Sequence, residues 1–573
     1  MIRVVPYLLC CALGCGSFVS ASPAPKPNVL FIALDDLNDW IGCMGGNPQS
    51  ITPNFDRLAA DGMLFTNAHC SAPACNPSRV SIFSGISPHK SGIYTNAQVL
   101  RDVLPDATLM PRYFSEHGYW SAGSGKLLHY IIDARSWDDY FPEKETEDPF
   151  PRTLYPDKRP VSLPVGGPWQ YEETDWGPLD ATDEEFGGDW LVSDWIGKQL
   201  AATHDKPFFL ACGIYRPHEP WFVPKKYFDR FPLESIQLPP GYKEADLDDV
   251  PEEGQQLARN RYFPHILKEG QWKQGIQGYL ASIHFADAML GRVLDSLENG
   301  PNKDNTIVVL WSDHGWQLGE KEHWQKYTAW RLCTRVPLMV KVPAGASPAL
   351  PDGVKPGSRC DEPVSLVGLF PTLNELCGLP AKDGLDGTSI VPLLKDPSAS
   401  KDSAALTFLH DGKSVAVSGR EWRYIRYAKG GEELYHISAD PFEWNNVAAD
   451  PAHAGVMEKL RARIPATIAT VKPVAVKDLP AVDWHPCTDP AALPPSKPDG
   501  ANMRFVLVNR REQTVRFHFV GPRGKPATGR QLGAAKRIEI KAKPGTVWAV
   551  TGENEALLGY FVVGDRAAKG VIR

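Results

Sequence analysis

The chain has 573 residues and a formal net charge of −7, from 61 Lys+Arg against 68 Asp+Glu. Hydrophobic residues make up 43% and charged residues 23%, which excludes an intrinsically disordered chain. There is no basic block, so nucleic acid is not among the expected partners. Proline, at 52 of 573 residues, is about 9% against a usual ~5% and points to many ordered loops rather than a helical bundle. At roughly 150 residues per domain the length would allow about four, but α/β enzymes often hold more in one. One large domain with smaller ones after it is expected.

In chain order, Arg3 precedes an apolar run from Val4 to Val19, and Val19-Ser20-Ala21 stands before Ser22. This reads as a secretory signal over residues 1–21, cut after Ala21, because the run is shorter than the roughly 20 residues a membrane span needs. The mature chain is then secreted or periplasmic. Lipid attachment at Cys15, after Leu13-Gly14, is the weaker alternative. No later stretch is apolar enough to span a bilayer.

Asn28 to Leu34 is a continuous apolar run ending in Asp35-Asp36. Pro207 to Gly213 is a second, and Thr306 to Trp311 a third, followed by Ser312-Asp313-His314. Short runs of this kind are strands buried on both faces, as in a parallel sheet covered by helices. Between them, Thr52-Pro53 opens a helix that Gly62 closes. Thr108 to His117 is another. Gln274 to Asn299 repeats its apolar residues near the helical period and stops at Gly300-Pro301. The pattern predicts an α/β domain over 26–400, a large, mostly parallel mixed sheet flanked by helices. Two polar insertions, 141–189 and 238–272, read as loops, and the acidic stretch Glu244 to Glu253 as a solvated one. Residues 401–470 form a small α+β subdomain. Residues 471–502 are a proline-rich linker, and 503–573 carry short strands and turns of a sandwich-like all-β module.

Of 11 cysteines, three leave with the signal and eight remain, with no CxxC pair to suggest a zinc cluster or thioredoxin chemistry. Cys212 and Cys377 sit in apolar runs and read as buried hydrophobes.

The chemistry concentrates where strands end. In open parallel sheets ligands bind at the carboxyl ends of strands. Asp35-Asp36 and Asp313-His314 each follow a buried strand. Either acidic pair alone could be a helix or turn cap. On neighbouring strands they bring three carboxylates and an imidazole together, which repel unless a cation sits between them. Oxygen-rich ligands call for a hard divalent ion, calcium or magnesium rather than zinc. Cys75-Asn76-Pro77-Ser78-Arg79 precedes a helical stretch. It places a thiol at a helix N-terminus, where anions are favoured and thiol pKa values fall. An ordinary turn around a buried cysteine explains the same residues equally well.

The C-x-P-S-R pattern at Cys75 resembles the sulfatase motif. Asp35-Asp36, Thr52-Pro53-Asn54, Gly125-Lys126, Ser312-Asp313-His314-Gly315, Leu318-Gly319-Glu320 and Gly384-Leu385-Asp386-Gly387 follow the family order over roughly residues 28–450. His129 three residues after Lys126, together with Tyr215-Arg216-Pro217-His218-Glu219-Pro220 and Trp324-Gln325-Lys326-Tyr327, is similar to the iduronate-2-sulfatase group. The resemblance implies that Cys75 is oxidised to formylglycine by a formylglycine-generating enzyme. It implies calcium, ahead of magnesium, held by Asp35, Asp36, residue 75, Asp313 and His314. Arg79, Lys126 and Lys326 would stabilise charge on the nucleophile and sulfate. His129 would be the base that releases sulfate, and His218 the acid at the leaving oxygen. Lys126, His218 and Lys326 would also bind substrate.

Each assignment has a plainer counterpart. Lys326 alone would be solvated surface. His218 could be a loop hydrogen-bonding group, with Glu219 an equally suitable neighbour. His323 has no matched role and is structural or substrate-shaping. The 17 tryptophans are expected in the core rather than on sugar rings. Residues 505–551 resemble a von Hippel-Lindau-type β domain, which implies a docking or bracing appendage absent from the iduronate-2-sulfatase pattern. The expected function is a secreted sulfuric ester hydrolase acting on a sulfated oligo- or polysaccharide, with uronate 2-O-sulfate one candidate. A phosphodiesterase or phosphonate hydrolase of the same fold, and a non-catalytic sulfated-glycan-binding protein, are the alternatives.

Overall fold

The computed structural model describes residues 26–151, 162–164, 174–399, 402–470, 475–498, 503–564 and 566–573. The expected signal at 1–21 and Cys15 lie outside the described residues. Among the described residues no helix is long and apolar enough to cross a membrane.

The large domain is built on one nine-stranded sheet. Its strands are β1 (Asn28–Leu34), β2 (Met63–His69), β3 (Trp120–Gly125), β4 (Asp139–Phe141), β5 (Phe208–Ile214), β6 (Thr306–Ser312), β7 (Arg335–Lys341), β8 (Ser358–Cys360) and β9 (Val364–Ser365). They lie in the order β8–β2–β7–β6–β1–β5–β3–β4, and β9 also pairs with β2. Only β7 runs antiparallel to its neighbours. The continuous apolar runs follow from this arrangement. Val29, Phe31 and Ala33 of β1 enter the core on one face, and Leu30, Ile32 and Leu34 the core on the other. A strand covered on both sides cannot alternate apolar with polar residues.

The second face is covered by α1 (Pro53–Asp61), α3 (Asp189–Ala201) and α4 (Trp272–Glu298). Between α1 and α3 in the chain, α2 (Cys75–Ser84) packs against the first face through Val80, Ile82 and Phe83. Helix α2 begins at the cysteine itself, with Ala74 in the cap position. The helix expected from Thr108 to His117 spans Met110–Glu116.

The two insertions are more ordered than their composition suggests. Trp176–Leu179 pairs in parallel with Trp221–Pro224. A capping box at Thr182 and Glu185 starts a one-turn helix. Glu252–Ala258 and Tyr262–Lys268 are short helices. The acidic stretch is not simply solvated, because Asp246 is buried with Lys321 Nζ 3.2 Å from its carboxylate. Four- to seven-residue elements carry too few apolar positions for periodicity to mark them.

After the main domain, four antiparallel strands between Ala405 and His436, with helix Ala454–Arg461, make a small subdomain. It docks on the loops that leave the sheet: Trp330 Nε1 donates to Glu433 Oε2 at 2.9 Å, and Phe408 N to Ser71 O at 2.8 Å. The terminal module is two sheets of four and five strands closing over Phe505, Leu507, Phe517 and Phe561. The proline-rich segment before it contributes Ala481–Val482 and His485–Pro486 as edge strands of these sheets.

Candidate active site

Strands β6, β1, β5 and β3 are consecutive parallel neighbours, so their carboxyl ends open on one edge. Leu34 is paired with Ser312, which sets Asp35-Asp36 beside Asp313-His314. Gly125-Lys126 follows β3, and Lys126 N donates to Gly213 O at the end of β5 at 3.0 Å. A Cβ on Gly213 would sit 2.5 Å from the Lys126 carbonyl, so only glycine admits this close approach. Asp36 holds a left-handed backbone, with φ of 61°. Tyr279 Oη donates to its carbonyl at 2.7 Å and so holds that sharp exit from the strand.

Cys75 enters from the loop after β2 and is fully buried among these strand ends. Its sulfur lies 3.1 Å from Lys326 Nζ, 3.3 Å from His314 Nε2, 3.6 Å from Asp35 Oδ1 and 3.9 Å from Lys126 Nζ. Burial and Asp35 act to raise the thiol pKa, but Lys126 and Lys326 outweigh them and hold it below its ordinary value. Asp35 makes close ion pairs with Lys126 and, at 3.2 Å, with Arg79. Burial works against its ionisation, yet those two cations keep its carboxyl well below the usual range. Asp36 is different. Burial pushes it to about 7, against the pull of Lys326 Nζ 2.9 Å away. His314 is pushed up to about 9, since Asp313 and the sulfur outweigh burial.

Arg79 joins these pieces. Its Nε donates to Asp313 Oδ2 at 2.7 Å, Nη1 to the carbonyls of Lys126 and Leu127 at 2.6 and 3.1 Å, and Nη2 to Leu34 O at 3.1 Å. One planar fork thus ties α2 to the ends of β1, β3 and β6. Ser78 Oγ adds a bond to Asp313 O at 2.6 Å.

The two expected acid–base histidines are present at this edge. His218 Nδ1 bonds Glu219 O at 2.5 Å, which leaves Nε2 as the acceptor, 3.5 Å from Lys326 Nζ and 3.7 Å from Asp36 Oδ2. Burial, then Lys126 and Lys326, hold both His218 and His129 well below the ordinary histidine value. His129 Nδ1 is buried without a hydrogen-bond partner. His323 bonds the carbonyls of Ala258 and Lys326 at 2.8 and 2.9 Å, so it braces the loop that delivers Lys326.

The donor set suits a metal ion. Ligand atoms of Asp35, Asp36, Cys75 and His314 all lie within 4.8 Å of one another, every residue is buried, and Asp36 Oδ2 has no hydrogen-bond partner. Asp313, also expected in this set, stands at its edge. Its Oδ2 is 3.6 Å from His314 Nε2 but takes the Arg79 bond, and its Oδ1 accepts from the amides of Asp36 and His314 at 3.2 and 3.0 Å.

Several neighbours had no role in the sequence reading. The rings of Tyr130 and Tyr215 lie 4.6 and 5.0 Å from Lys126 Nζ, and Trp316 lies 5.4 Å from Lys326 Nζ. Tyr327, about 39% exposed, receives a bond from Asn96 Nδ2 at 3.2 Å. Aromatic residues carry no signal of their own in sequence. Adjacency to His129, Lys326 or the Tyr215-Arg216-Pro217-His218 run is the only clue.

A buried thiol at a helix N-terminus, ringed by cations and acids at the carboxyl edge of a parallel sheet, is the layout of a hydrolase for tetrahedral anionic esters. The sulfatase family model matches residues 27–379, and one described as N-sulphoglucosamine sulphohydrolase, C-terminal, matches 319–470. The chain belongs to the sulfatase family, whose members hydrolyse sulfate esters. A protein named Sulfatase from Formosa agariphila is 40% identical over 456 residues, covering 78% of this chain and 87% of that one. Iduronate 2-sulfatase of Mus musculus is 32% identical over 397 residues, covering 62% and 69%. Among solved structures, the phosphonate monoester hydrolase of Agrobacterium radiobacter shares the fold with a TM-score of 0.60 at 22% identity, covering 78% of this chain and all of that one. A 2-O GAG sulfatase does so with 0.57 at 22% identity, covering 76% and 90%.

Proposed function

We propose that the protein removes sulfate from a sulfated carbohydrate, and that the side chain at position 75 is the nucleophile once a formylglycine-generating enzyme has oxidised it. The observation that carries this is the setting of the Cys75 sulfur, with Lys326, His314 and Lys126 within 3.9 Å and Asp35 beside them. Formylglycine at position 75 would supply a hydrated aldehyde, with one hydroxyl available for attack on sulfur and the other for release of sulfate. Asp35, Asp36, residue 75 and His314, with Asp313, would hold calcium, with magnesium second; a divalent ion there lowers the proton affinity of the nucleophile and offsets charge on sulfate oxygens.

The protein's own groups do the rest. Arg79 fixes Asp313 and Asp35 in position. Lys126 and Lys326 place two ammonium groups where charge gathers on the sulfate oxygens, in a dry site where they act strongly. His129 is neutral at neutral pH, as a base that takes a proton from position 75 must be. His218, neutral and with its acceptor Nε2 toward the centre, would serve the leaving oxygen as an acid only after taking up a proton there. The 32% identity to an iduronate 2-sulfatase and the matching His129 spacing make a uronate 2-O-sulfate the first substrate to try. The terminal module, von Hippel-Lindau-like in its sequence, would brace or dock. Its Lys543 Nζ donates to Thr146 O of the catalytic domain at 2.8 Å.

The test is sulfate release from a panel of sulfated mono- and disaccharides by chain co-produced with the maturing enzyme, with phosphonate and phosphate diesters alongside. Mass analysis of the Cys75 peptide should show aldehyde in place of thiol. Hydrolysis of phosphorus esters alone, or full turnover by unmodified cysteine, would overturn the proposal.

A further inference from the structure

A second enclosed site lies away from the strand ends. A cavity of about 330 Å³ is walled by the loop after β1, residues 240–241, residues 317–335 and the subdomain loop 441–443. None of Cys75, Lys126, His218 or Lys326 borders it. Its volume is at the lower end of small-ligand sites, the size of one sugar ring rather than of a bare inorganic anion.

The charges around it are nearly all matched. Arg335 pairs closely with Asp39, Lys321 with Asp246 at 3.2 Å, and Arg423 with Glu443 at 2.8 Å. Arg331 lines the cavity without such a partner among the described residues, and its Nε is fully buried with no hydrogen bond. Burial and the neighbouring Arg335 lower its pKa to about 9, so it remains a cation at neutral pH. Arg331 is only partly buried, but a guanidinium with its Nε out of water and no carboxylate partner favours an anion beside it. The remaining wall suits a sugar. Glu320 and Asp39 offer oxygens to hydroxyl groups. Phe442, about 40% exposed and stacked on Trp444 at 4.9 Å, presents an aromatic face. Gly241 lets the chain pack close against this ring, since a Cβ there would meet it at 2.9 Å.

The geometry points to a second ligand site here, one that takes an anionic pyranose, a uronate or a sulfated sugar, with its acid group on Arg331 and its ring against Phe442. The site is independent of the reaction proposed above, and its test reads binding alone. Saturation-transfer NMR on the full chain would use glucuronate, glucosamine 6-sulfate and sodium sulfate as probes, on wild type, Arg331→Met, Phe442→Ala and Lys326→Ala. The expected result is millimolar binding of both sugars that weakens at least tenfold in Arg331→Met. Phe442→Ala should weaken the sugars, and Lys326→Ala should leave their binding at this cavity unchanged. Arg331→Met should also melt no lower than wild type, because it removes an unpaired, partly buried charge; an arginine kept for structure would give a lower Tm. No sugar binding to wild type, binding that survives Arg331→Met, loss in Lys326→Ala instead, or sulfate binding as tightly as the sugars would each overturn the proposal. If Arg331→Met fails to fold, that alone contradicts it, and Phe442→Ala still reads the sugar face.

Discussion

Replacing Arg79 with lysine separates charge from geometry at the centre. The substitution keeps a cation beside Asp35 and Asp313 but replaces a five-donor planar fork with one ammonium on a flexible stem. Arg79 is wholly buried and serves the Asp313 and Asp35 carboxylates and three carbonyls, those of Leu34, Lys126 and Leu127. An ammonium cannot reach all five acceptors. Two or more are left buried and unpaired, at about 1–3 kcal/mol each, so the loss is on the order of 4 kcal/mol. With an unfolding entropy of about 2.1 cal/mol/K per residue over roughly 400 residues, that corresponds to a fall in Tm of about 5 °C. Calorimetry at a fixed scan rate and steady-state sulfate release on the same preparation would measure both effects. Turnover should fall about 100-fold, the scale seen when one preorganised charge-stabilising group is lost. Unchanged Tm with lost turnover would refute the reasoning, because it would make Arg79 a ligand-binding group and not the tie between four chain segments.

Cys75→Ala should abolish sulfate release while circular dichroism stays native, since the loss is of a small buried group. Asp313→Ala should sharply lower the bound metal measured by atomic emission, and an unchanged metal content would remove Asp313 from the ligand set. Gly213→Ala should displace Lys126, whose backbone lies within 2.6 Å of the added Cβ, and lower kcat at least tenfold. The stability profile should carry a mark of Asp287, which accepts from the amides of Asn54 and Phe55 at 2.9 and 3.0 Å and is pushed up by burial to about 6. The folded state then binds more protons than the unfolded one between about pH 4 and 6, so stability falls as pH rises through that window and levels off above it. In Asp287→Asn the urea midpoint should lose this falling segment, and identical profiles would contradict the assignment.

The parts of the fold legible in sequence are those where one physical rule acts alone. The strands β1, β5 and β6 are buried on both faces, so unbroken apolar runs identify them. Helix α4 lies along the sheet and shows its period. The candidate metal donors Asp35, Asp36 and His314 were legible because a parallel sheet forces strand ends together. The short elements of the insertions were not, because their order comes from tertiary partners such as Trp221 beside Trp176, 5.7 Å apart. The role of Arg79 as a structural tie was also hidden, as it depends on carbonyls up to 48 residues away. The buried Asp246 lies in an acidic run that reads as solvated, because its partner Lys321 is 75 residues away in the chain. Tyr130 and Tyr215 next to Lys126 left no spacing to read.

Lys326 reaches Asp36 across 290 positions of chain, and His314 reaches Cys75 across 239. During synthesis, position 75 therefore leaves the ribosome long before the groups that will enclose it exist. If the thiol is oxidised as proposed, the enzyme that does so would have its opportunity in that interval and lose it when the last strands close, so maturation and folding would be in a race that a slow-folding or prematurely collapsing variant could lose without any change in its finished architecture.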